Sequence, residues 1–107
     1  MSLYRFKSRE TGDLVMLGPD GKRILEVLGK DPCGPGIIQP AEMAAAVQAL
    51  RDAARAEEED RQRQIAEANA KGEVPPDFGI ALRVRSTPFI EMLERCRAAD
   101  VEVVWGI

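Results

Sequence analysis

The sequence predicts an α+β fold: a small, mainly antiparallel sheet of about three strands packed against three helices. Three observations carry this. The N-terminal residues Leu3-Tyr4-Arg5-Phe6-Lys7-Ser8 alternate apolar and polar with aromatics, as a half-buried strand does. Met43, Val47, Leu50 and Ala54 recur at helical spacing. The C-terminal run Val101-Glu102-Val103-Val104-Trp105-Gly106-Ile107 is β-branched and apolar, suited to a strand that completes the sheet. The 107 residues are enough for one domain.

Taken in order, residues 3–8 form the first strand. Arg9 to Asp13 (RETGD) supplies a turn, with Gly12 free to take positive φ. Leu14 to Leu17 is a short apolar run read as a second, well-buried strand, which makes an antiparallel hairpin. Next comes Gly18-Pro19-Asp20-Gly21. It invites a phosphate-loop reading, but a P-loop needs two glycines five apart followed by Lys and Ser or Thr. Here the hydroxyl is missing and Pro19 lacks an amide donor. A strand-to-helix turn is preferred. Beyond it, Ile24, Leu25, Val27 and Leu28 share a helical face, with Gly29 as the stop. A hairpin followed by a strand competes with that helix.

Residues 30–38 (KDPCGPGII) read as a loop, and Pro40 suits the first position of a long helix. From Pro40 to Lys71 such a helix would be about 48 Å long, against a diameter of roughly 35 Å for a compact domain of this size. Its second half is polar. Glu57–Arg61, Glu59–Arg63 and Glu67–Lys71 are candidate i, i+4 pairs worth about 0.2–0.5 kcal/mol each. The charged segment at about 56–79 is therefore expected to project, fray, bend back or meet another chain. After the break at Gly72 to Gly79, residues 80–87 read either as a strand or as the start of a helix kinked at Pro88. Thr87-Pro88 offers an N-cap and first position, so a helix is expected at least from Pro88 to Ala99. Its inner face holds Phe89, Leu93 and Cys96, flanked by Ile90 and Met92, and Asp100 ends it.

Composition bounds the function. The formal net charge is −3 and histidine is absent. The first argues against a dedicated nucleic-acid binder; the second removes the common general base and zinc ligand. No catalytic residues, no metal ligands and no cofactor are expected. Glu57 to Asp60 could in principle hold a hard cation, but a solvated helix face is preferred. Cys96 reads as a core residue and Cys33 as an exposed thiol. The sequence shows no transmembrane run and no signal peptide at its start, so a cytoplasmic protein is expected.

Two surfaces are candidates for partners. Met43, Val47 and Leu50, or the edge of the strand bearing Trp105, could mediate self-association or bind a protein, although a core position is preferred for Trp105. Arg83, Arg85, Arg95 and Arg97, with Arg5, Lys7 and Arg9, could form a basic strip for nucleic acid; the intervening Glu91, Glu94 and Glu102 favour a mixed surface instead. The leading expectation is a small cytoplasmic, non-enzymatic interaction module. The alternatives are a nucleic-acid-binding regulator, and a small-ligand binder or carboxylate-based enzyme.

Several residue patterns together resemble a known family. They are Phe6-Lys7-Ser8, Val15-Met16-Leu17 running through Gly18 into Lys22 to Lys30, Gly36 to Ile38, Pro88 to Leu93 and Val103 to Ile107. The chain resembles the small proteobacterial proteins gathered as "domain of unknown function 1840", over most of its length except about Glu57 to Asp77. The resemblance implies a small cytoplasmic protein and transfers no site residues. It favours a helix at 20–29, and one helix at 81–98 bent at Pro88.

Overall fold

A computed structural model describes residues 3–106. The fold is α+β, with three helices and two small antiparallel sheets of two strands each. Strand β1 (Leu3–Phe6) pairs with β2 (Leu14–Leu17). Helix α1 (Gly18–Val27) follows at once, then β3 (Gly36–Ile38), α2 (Pro40–Ala70), α3 (Leu82–Ala99) and β4 (Val103–Trp105). Strand β3 pairs with β4. The two ribbons meet at a single bridge, where Lys7 and Val104 exchange backbone hydrogen bonds of 2.8 and 2.9 Å. In place of the expected sheet of three strands there are two ribbons of two strands each, and β3 lies within the segment read as loop.

Local chemistry explains where the expectations held and where they failed. The hairpin turn is not built on a glycine φ, because Gly12 does not adopt the left-handed region. Ser8 organises it: its hydroxyl accepts the amides of Glu10 and Thr11 at 3.1 and 3.0 Å. Strand β2 is not well buried either. Met16 is buried and Leu14 packs half-buried against the core, while Val15 and Leu17 are exposed.

Gly18-Pro19-Asp20-Gly21 is the first turn of α1 and not a turn before it. First-turn amides have no intrahelical partner, so Pro19 costs nothing there. Asp20 sits where the helix dipole favours an acid. Gly21 is needed for close approach: a Cβ would lie 2.4 Å from the Tyr4 ring. At the other end, Gly29 takes φ 73° and donates to Glu26 O, while Lys30 donates to Leu25 O, a Schellman closure.

Helix α2 runs unbroken to Ala70, so the charged stretch is helical. The molecule measures 52 Å along its longest axis, and its radius of gyration is 15.8 Å against about 13 Å for a compact chain of this length. The 31-residue α2, about 46 Å long at 1.5 Å per residue, accounts for that length. Of its three expected i, i+4 pairs only Glu57–Arg61 forms, at 3.0 Å; Arg63 turns to Asp60 instead.

Helix α3 is a single helix from Leu82, six residues before Pro88. Thr87 is therefore no N-cap. Its hydroxyl donates back to Arg83 O at 2.7 Å. Proline at position 88 deprives Val84 O of its helical donor, on an exposed side of the helix that water can serve. Asp100 ends the helix in the left-handed region at φ 57°.

The core gathers around Phe6. Its ring centroid lies 4.7 Å from Phe89 and 5.8 Å from Trp105. Ile24, Leu25, Met43, Leu50, Leu93 and Cys96 are among the buried residues packed around them. Among the described residues, no helix is long and apolar enough to cross a membrane.

Candidate functional site

Helices α2 and α3 lie antiparallel, fixed at two levels. Near one end Arg51 and Glu94 approach to 3.5 Å. At the other, the Glu57 carboxylate accepts the Leu82 amide, the first of α3, at 2.9 Å. Glu57 thus caps α3 from a neighbouring helix, and its side chain is only 12% exposed. The same carboxylate meets Arg61 at 3.0 Å and Arg23 of α1 at 2.5 Å. Arg61 in turn donates to the carbonyls of Phe78 and Gly79 and lies 5.1 Å over the Phe78 ring. This cluster folds the loop after α2 back onto its helix.

Between these two levels the helices leave a groove of about 600 Å³. Ala54, Ser86 and Ile90 contribute to its lining, and of these Ser86 is fully buried. The walls are charged. Along α2 the order is Arg51, Arg55, then Glu58 and Glu59; along α3, read at the same levels, it is Glu94, Glu91, then Arg83. Each wall changes sign midway, and basic residues face acidic ones. Among the described residues Glu59, Arg83 and Glu91 have no ion-pair partner, and Arg55 reaches only Asp52 at 4.0 Å. Charges left unpaired beside an apolar strip, on two rigid helices, suit recognition by a complementary surface.

The structure redistributes the residues singled out from sequence. Met43, Val47, Leu50 and Trp105, read as a candidate interface, are all buried in the chain's own core. Trp105 is 1% exposed and covers Gly36, where a Cβ would lie 2.2 Å from the indole. The basic strip is not assembled. A helix turns by roughly 100° per residue, so Arg85 and Arg95 point about 160° and 120° away from Arg83. Arg83 lines the groove, Arg85 pairs with Asp20 at 3.5 Å, and Arg95 borders a separate shallow pocket near Pro88. Arg97 lies in the last turn of α3. Cys96 is buried and Cys33 exposed, as read from sequence.

Sequence reasoning missed the groove because its residues look like ordinary solvated helix positions. A signal was present, however. The residues at 51, 55, 58 and 59 follow one helical side, with basic side chains preceding acidic ones, and Glu91 and Glu94 form a matching acidic pair on α3.

Glu42, in the first turn of α2, accepts the Gln39 amide at 2.9 Å and meets Lys30 Nζ at 2.9 Å. The amide first, and the lysine second, hold its carboxyl below 4.5. Among the described residues no group of three His, Cys, Asp or Glu is placed to hold a metal ion.

The model of one protein family, the domain of unknown function DUF1840, matches residues 2–105, and the chain belongs to that family. No curated protein and no solved structure matches the chain.

Proposed function

We propose that this DUF1840 protein is a small, non-enzymatic, cytoplasmic interaction module that offers the α2–α3 groove to another protein. The observation that carries the reading is the groove itself: an apolar strip of about 600 Å³ walled by charges, several without partners in the chain. Two rigid helices held in register by Glu57 and Arg51 suit a helical ligand laid between them. The absence of histidine supports a role without acid–base chemistry near neutral pH.

A photoreactive side chain introduced at Thr87, inside the groove, tests this in the native host. Protein adducts are expected from Thr87, with few or none from the same group at Asp31 in the loop after α1. Equal yields from both positions, or none from Thr87, would contradict the reading.

A further inference from the structure

The charge order along the groove says what fits it. Arg51 and Arg55 precede Glu58 and Glu59 on α2; Glu94 and Glu91 stand opposite the two arginines on α3, and Arg83 stands toward the two glutamates. A pattern of this kind is complementary to itself. Consider a two-fold axis laid along the groove. It carries α2 of one copy over α3 of the other without shifting the level, as in a four-helix bundle. Arg51 and Arg55 then face the second copy's Glu94 and Glu91. Glu58 and Glu59 face its Arg83. Every opposed set is opposite in sign, and each contact occurs twice because the interface is isologous. The floor residues Ala54 and Ile90 meet at the centre, the small alanine of one copy against the larger isoleucine of the other.

We propose that the occupant of the groove is a second copy of this chain, joined about a two-fold axis along the groove. The proposal rests on the docking reading above and names its partner. Glu59, Arg83 and Glu91, unpaired in the single chain, all gain partners of opposite charge. The residues involved differ entirely from the buried Met43–Val47–Leu50 stripe.

Sedimentation velocity on the full-length chain, from micromolar to several hundred micromolar, reads the association. The wild type is expected to dimerise, and more weakly as salt rises. Arg55→Glu sets like charges against the second copy's Glu91, and Glu91→Arg does the same from the other wall. Each is expected to weaken the dimer at least about tenfold. An equimolar mixture of the two variants restores opposite charge at both contacts, so dimer is expected to return. Circular dichroism confirms that each variant is folded, and the mixture is an internal control for misfolding. A wild type monomeric throughout overturns the proposal. So does a dimer indifferent to both reversals, or a mixture that stays monomeric. The docking reading fails separately. A monomeric chain that still forms Thr87 adducts with another protein retains a docking groove and loses only the second copy. A chain with neither dimer nor adducts loses both.

Discussion

Two stripes of the same helix, α2, lie side by side and do opposite things. Met43, Val47 and Leu50 are turned inward and fully consumed by the core. Arg51, Arg55, Glu58 and Glu59 follow along the helix and wall an open groove. The apolar stripe looks like an interface in the sequence, and the charged one looks like a solvated surface. The comparison teaches that an apolar stripe at helical spacing can be taken up wholly by folding, while Val15, Leu17, Ile80 and Val84 elsewhere in the chain stay exposed. On α2 itself, the surface left open lies among charges that the fold holds still but does not pair.

The largest break in that comparison is Leu50→Ala. Truncating a fully buried leucine costs about 2–5 kcal/mol. Urea unfolding is expected to show that loss in the midpoint, with association weakened only through the folded fraction.

Glu57→Ala attacks the frame that holds the two helices in register. It leaves the Leu82 amide, Arg61 and Arg23 without their carboxylate. A loss of about 1–3 kcal/mol is expected by the same unfolding measurement. Glu57→Gln keeps an acceptor for Leu82 and is expected to lose less.

Glu42→Gln sharpens the comparison at the start of α2. The folded-state carboxyl titrates below its ordinary 4.5, so its contribution is present above that value and lost as pH falls through the folded pKa. The carboxylate is about half exposed and screened, so the effect is a few tenths of a kcal/mol. The stability gap between wild type and variant is expected to be constant above pH 4.5 and to close below it. A gap that widens in acid contradicts the assignment.

A similarly small effect on stability is expected for Arg55→Glu. Its exposed guanidinium makes only a 4.0 Å contact with Asp52, so unfolding should shift by less than about 0.5 kcal/mol. A large stability loss would show that the groove wall is a structural element after all.

Much of the fold is legible in the sequence, for identifiable reasons. Pro40 marks the start of α2, Gly29 the end of α1, and the i, i+4, i+7 recurrence the inner face of α2. Phe89, Leu93 and Cys96 were readable as the inner face of α3 in the same way. The misses have physical causes too. Strand β3 has three residues, too few for a period, and its Gly36 is there to fit beneath Trp105. Gly18 and Gly21 look like turn residues, yet Gly21 answers the Tyr4 ring, a contact distant in sequence. The start of α3 is set by the Glu57 carboxylate, 25 residues away, so no local cap announces it. The groove depends on the register between two helices, which neither helix encodes alone.

Oxidative footprinting of side chains in native-host cells, against the purified chain at high dilution, tests the central claim that the α2–α3 groove is where this protein meets another. Ile90, in the groove, is expected to lose reactivity in cells. Val74, Ile80 and Val84, apolar, exposed and outside the groove lining, are expected to keep theirs. Undiminished oxidation of Ile90, with protection at Val84 or at the exposed Leu17 of β2, would contradict the account and move the docking surface to the other side of α3.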